Sequence, residues 1–108
     1  MPTPTSRARS VKFLDVRTPE EFAQGHAPGA VNVPVMLSSP GGMQANPAFL
    51  EALTSALPDA QQPMLVCCKA GGRSAKAAGM LSEAGYAQIT DVLGGWNAWT
   101  AAALPEEK

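Results

Sequence analysis

Residues 67 to 74 read Cys-Cys-Lys-Ala-Gly-Gly-Arg-Ser, directly after the apolar run Met64-Leu65-Val66. The order predicts a buried strand that ends at the cysteines and a helix that begins a few residues later. A thiol at such a junction faces unpaired backbone N–H groups and the positive end of a helix dipole. Both favour the thiolate, the form of cysteine that attacks. Lys69 and Arg73 add cationic donors suited to an oxyanion. The segment therefore has the makings of a nucleophile loop that binds a small anion.

The rest of the chain supplies the scaffold. Val11 to Val16 reads as a strand. Thr18-Pro19-Glu20-Glu21 then predicts a helix start, with Thr18 as N-cap, Pro19 in the first turn and Glu21 closing a capping box; Gly25 stops the helix. Ala30 to Val33 is a short second strand closed by Pro34, and residues 36 to 45, rich in Ser, Gly and Pro, read as a surface loop. Asn46-Pro47 opens another helix, with Phe49, Leu50, Leu53 and Leu57 along one face. After the strand Met64 to Cys67, a helix is predicted over about Arg73 to Ala84, capped by Gly85. A strand over Gln88 to Val92 follows, and Gly94-Gly95 turns into a last helix carrying Trp96 and Trp99. Strand and helix alternate throughout. The expectation is an α/β fold, a doubly wound parallel sheet with helices on both faces, whose ligand crevice lies beyond the carboxyl ends of the strands.

Composition narrows the function classes. A length of 108 residues predicts one domain. Eight basic against nine acidic residues leave no electrostatic footprint for nucleic acid, and no apolar run is long enough for a membrane span. Two adjacent cysteines make no disulfide framework, and a single histidine makes no metal site. No metal and no organic cofactor is implied, and a reducing compartment fits the thiols. Residues 1–10 are polar, without the apolar core of a secretory signal. They read as a disordered segment before a domain at 11–105 and a tail at 106–108; the sharper alternative is the remnant of an organelle transit peptide.

Four blocks together resemble the single-domain rhodaneses, the thiosulfate sulfurtransferase family. They are Leu14-Asp15-Val16-Arg17 with Glu21; Gly25-His26 through Pro28-Gly29-Ala30, Asn32 and Pro34; Cys68 to Ser74; and Leu93-Gly94-Gly95 with Trp99. Asn46-Pro47 with Phe49-Leu50 is further similar to the small senescence-associated rhodaneses of plants and algae and related bacterial forms. The resemblance implies that Cys68 takes up sulfur as a persulfide. It implies that the loop Lys69, Ala70, Gly71, Gly72, Arg73 and Ser74 cradles that sulfur and the incoming oxyanion. It also implies thiosulfate or a similar donor, a thiol or cyanide as acceptor, and a cytoplasmic location, or alternatively a plastid or other organelle matrix. The family pattern places a strand and helix before the Asp15-type strand, so the sheet edge here is expected to be reduced or supplied by residues 5 to 10.

Three competing readings frame the tests. Counted from Cys67, the loop is Cys-x5-Arg, the spacing of cysteine phosphatases and the arsenate reductase branch of the same fold; counted from Cys68 it is the shorter Cys-x4-Arg. Successive strand residues point to opposite faces, so only one thiol can serve the loop, and Cys67 is assigned to the core. A catalytically silent binding module would have lost the cysteine or the glycines. His26 is assigned to its turn, Asp15 and Arg17 to an ion pair beneath the loop, and Trp96 and Trp99 to the core.

Overall fold

The computed structural model describes residues 11–69, 72–92 and 94–108. Expectations that fall on residues 1–10, Ala70, Gly71 and Leu93 lie outside the described residues. The elements are β1 (Lys12–Asp15), α1 (Pro19–Gln24), β2 (Val31–Asn32), β3 (Met36–Ser39), β4 (Gly42–Ala45), α2 (Phe49–Ala56), β5 (Met64–Cys67), α3 (Gly72–Glu83), β6 (Ile89–Asp91) and α4 (Gly95–Ala101). Strands β2, β1, β5 and β6 form a sheet in that order, every pair parallel. The α/β architecture expected from the alternation is present.

Two packed layers hold the sheet. On one side Leu14, Val16 and Val66 meet Phe49, Leu53 and Leu57 of the α2 region and Ala77 and Leu81 of α3. On the other side Phe13 and Cys67 meet Ala27, Trp96 and Trp99. Phe49, Leu53 and Leu81 are fully buried, each worth about 2 kcal/mol in removed apolar surface. The tryptophans are half-buried and pack against this second cluster, with Trp99 edge-on to Phe13 at 5.0 Å.

Local signals set the element ends. Thr18 accepts from the Glu21 amide while the Glu21 carboxylate accepts from the Thr18 amide, a complete capping box with Pro19 in the first turn. The helix expected to open at Asn46-Pro47 begins two residues later: Ala48 is its N-cap, Phe49 its first residue, and Asn46 Oδ1 accepts from the Ala48 amide. Residues 36 to 45 depart from the loop expectation and form an antiparallel hairpin, with Ser39 opposite Gly42 across the turn Pro40-Gly41. Apart from Met36, which packs against the core, most of this ribbon is exposed, so its Ser, Gly and Pro content hid it. At the other end of the chain, His26 and Glu107 exchange both backbone hydrogen bonds, at 2.8 and 2.7 Å.

Candidate active site

Parallel pairing sets the position of the two thiols. Cys67 ends β5 opposite Asp15 of β1, and Cys68 is the first residue beyond the strand. The pleat sends their side chains to opposite faces. Cys67 packs against Phe13, Ala27 and the tryptophans, while Cys68 joins the Leu14–Leu81 side. Burial, with the Asp15 carboxylate adding to it, pushes the Cys67 thiol up to about 12. That thiol donates to the Cys68 carbonyl at 3.2 Å and stays neutral at physiological pH.

Cys68 occupies the other environment. Its Sγ lies 3.5 Å from Oγ of Ser74, the third residue of α3, so the sulfur sits at the N-terminal turn of a 12-residue helix. Ser74 in turn donates to Oδ1 of Asp91, the last residue of β6, at 2.6 Å. Cys68 is only 1% exposed, so the sulfur is screened from bulk water.

The backbone after Cys68 is anchored by α4. The Trp96 amide donates to the Cys68 carbonyl at 2.6 Å and the Asn97 amide to the Lys69 carbonyl at 3.0 Å. This contact requires a glycine at 95: φ is +57°, and an added Cβ would overlap the Cys68 carbonyl oxygen and lie 2.8 Å from that of Lys69. The carbonyls of Cys68 and Lys69 are thereby committed to α4.

Charged residues close the site from below and from the side. Arg17 grips the Asp15 carboxylate through Nε and NH2, donates to the Gly25 carbonyl at 2.6 Å, and lies over the Trp96 ring at 4.9 Å. Both partners are buried, which makes them the ion pair beneath the loop that the sequence suggested. Lys69 is exposed and Gly72 opens α3. Arg73 makes two parallel bonds to Glu21, 52 positions away, at 2.7 and 3.0 Å, a pairing the sequence does not show. The hydrogen bonds to Glu21 hold the Arg73 guanidinium charged, with the nearby Cys68 sulfur adding to that. His26 stacks on Phe22 and donates Nδ1–H to the Phe22 carbonyl at 2.8 Å, a turn residue. Among the described residues, no cluster of His, Cys, Asp and Glu could hold a metal ion, and no helix is long and apolar enough to cross a membrane.

The Arg73 guanidinium holds the Glu21 carboxyl down at about 2. A carboxylate whose folded value lies below its unfolded one stabilises the fold above the unfolded value, and the gain is lost as pH falls toward the folded one. Glu21→Gln should therefore be destabilised by about 1–2 kcal/mol at neutral pH, through the weakened cap and ion pair. The gap from wild type should shrink between about pH 5 and pH 2. Urea unfolding midpoints of both proteins across that range measure it, and a gap that does not change with pH would deny the ion pair a role.

For two residues of the site the sequence showed no role at the loop. Asp91 is an ordinary strand residue until the parallel β5–β6 register sets it beside Val66. Gly95 reads as a turn residue until α4 docks on the loop.

Comparison with known proteins places the chain. The sequence profile of the Rhodanese-like domain matches residues 5–102. Thiosulfate sulfurtransferase 16, chloroplastic, of Arabidopsis thaliana is 48% identical over 94 residues, covering 87% of this chain and 78% of that protein. Senescence-associated protein DIN1 of Raphanus sativus is 41% identical and covers 90% of this chain, but the chain spans only 52% of it. Among solved structures, a rhodanese with anions from E. coli is 31% identical with a TM-score of 0.68, covering 92% of this chain and 99% of that one.

Proposed function

This chain belongs to the rhodanese-like family, and from that premise we propose that it is a sulfurtransferase carrying a sulfane sulfur on Cys68. The Cys68 thiolate attacks the outer sulfur of thiosulfate. A new S–S bond forms to Sγ as the donor's S–S bond breaks, and its electron pair leaves on sulfite. The enzyme keeps the charge on the outer sulfur of a persulfide, which then passes that sulfur to a thiol or to cyanide. Sulfite leaves as a stable anion, so no general acid is needed, and none of the described residues near Sγ is cast as one.

The observation that carries this reading is the separation of the two thiols. Cys67 is neutral and sealed in an apolar cluster, whereas Cys68 sits at the start of α3 beside Arg73. That favours counting the loop from Cys68, as Cys-x4-Arg, the compact spacing. Lys69 at the surface and Arg73, held by Glu21, are the cations proposed to draw in a small oxyanion, with the backbone amides of residues 69–74 completing the cradle. The relatives named thiosulfate sulfurtransferases support thiosulfate as donor. A reducing compartment would keep both thiols free.

Comparing thiosulfate with an aryl phosphate tests the proposal. The expected result is sulfur transfer to cyanide, one added sulfur on the Cys68 peptide by mass spectrometry, and negligible phosphate release. Phosphate release without a persulfide would move the chain to the phosphatase branch, and inactivity on both substrates would make it a binding module.

A further inference from the structure

The chain Cys68 Sγ, Ser74 Oγ, Asp91 Oδ1 has a consequence that follows from counting hydrogens. Ser74 carries one hydroxyl hydrogen. In the structure it is donated to the Asp91 carboxylate over 2.6 Å, which turns the oxygen's lone pairs toward the sulfur at 3.5 Å. That arrangement suits a sulfur without charge: a thiol, which can donate into the oxygen, or the inner sulfur of a persulfide. It does not suit a thiolate, which would meet lone pairs. To stabilise a thiolate, Ser74 must turn its hydrogen away from Asp91, and the carboxylate then loses a short charge-assisted bond. Two anions compete for one proton donor.

We propose that Asp91, acting through Ser74, is a positioning residue that disfavours the bare Cys68 thiolate relative to the sulfur-loaded enzyme. In the loaded state the charge has moved one atom outward, Ser74 can remain with Asp91, and nothing competes. The same withholding leaves the thiolate less hydrogen-bonded and therefore a stronger nucleophile toward the donor. The comparison with the loaded enzyme and the gain in nucleophilicity rest on the sulfurtransferase reading; the competition for the hydroxyl does not.

Among the described residues, the other carboxylates around Cys68 are already paired. From β1 and the residue pair beyond it, Asp15 is neutralised by Arg17. From α1, Glu21 is neutralised by Arg73 of α3. Cys67 of β5 is neutral, Lys69 is exposed, and α4 has no ionisable side chain. Asp91 of β6 is the carboxylate that reaches the sulfur through a shared hydroxyl.

The test is the pH dependence of Cys68 alkylation, read on its own peptide, in wild type, Asp91→Asn, Ser74→Ala and the double variant. Removing the carboxylate releases the hydroxyl to the sulfur, so Asp91→Asn should lower the Cys68 pKa by about one unit. Most of that shift should vanish when Asp91→Asn is made in the Ser74→Ala background. Above the thiol pKa of both proteins, the ratio of persulfide to free enzyme at fixed thiosulfate and sulfite should fall several-fold in Asp91→Asn. Should Asp91→Asn not fold, Asp91→Ser removes the same carboxylate. A raised pKa would overturn the proposal and make Asp91 a proton acceptor; an unmoved pKa, or an equal shift without Ser74, would overturn it too. Alkylation needs no sulfur transfer, so the two readings fail separately. A shifted pKa in a protein that never loads sulfur defeats the enzymatic reading alone.

Discussion

Cys68→Ser is expected to abolish sulfur transfer from thiosulfate, a loss of at least about a thousandfold, while Cys67→Ser keeps most of the activity. The asymmetry follows from the pleat and from what each side chain meets. A hydroxyl at 68 cannot form the S–S bond on which the cycle depends. A hydroxyl at 67 is placed among Phe13, Ala27, Trp96 and Trp99, where it can keep the hydrogen bond to the Cys68 carbonyl but sits in an apolar shell. Its cost should be about 1–3 kcal/mol of stability, seen as a lower urea midpoint. Steady-state rates and unfolding curves of the two variants together decide the matter. Loss of turnover in Cys67→Ser with survival of Cys68→Ser would shift the loop by one residue and bring back the Cys-x5-Arg reading.

Gly95→Ala is the second large effect. The substitution forces a side chain into the left-handed region, which costs about 1–2 kcal/mol, and drives a Cβ into the Cys68 and Lys69 carbonyls. Either α4 retreats or the loop does. Both weaken the Trp96 and Asn97 hydrogen bonds that hold the nucleophile's own backbone. A displacement of about 1 Å at a reacting atom can cost on the order of a hundredfold in rate, and a loss of that order is expected here. Gly29→Ala separates the two contributions, because Gly29 has φ of +75° but no atom within 4 Å of an added Cβ. It should lose stability from backbone strain alone and keep its kcat/KM. If Gly95→Ala loses no more activity than Gly29→Ala, α4 does not hold the loop in its working shape.

The anchoring by α4 also shows how an apolar helix can serve a polar site. Trp96 and Trp99 bury one face of α4 against Phe13 and Cys67. That packing presses the helix's first amides onto the Cys68 and Lys69 carbonyls. Arg73 is fixed by a comparable division of labour. Glu21 caps α1 with one set of contacts and grips the guanidinium with another, so the start of α1 and the start of α3 are tied across the site. Loosening either tie should be felt at the sulfur even though neither residue bonds to it.

Local chemistry was enough to determine a large part of this protein from sequence alone. The order of strands and helices, the capping box at Thr18–Glu21, the strand-to-helix junction at Cys68 and the assignment of Cys67 to the opposite face all depend on neighbours within a few residues. Periodicity, proline and glycine report such neighbours directly. The hairpin over residues 36 to 45 escaped because its strands are mostly exposed and its Ser, Gly and Pro content reads as a loop. What only the tertiary structure decided are the pairings of residues distant in sequence: Arg73 with Glu21, Asp91 with Ser74, and Gly95 against the Cys68 carbonyl. Each depends on the parallel register of β1, β5 and β6 and on the docking of α4, and those are settled by burial of the whole core. A charged residue carries no mark in the sequence of which opposite charge it will meet. The Cys68 loop was legible because its surroundings are local, and the partners of Arg73 and Ser74 were not because theirs are assembled by the fold.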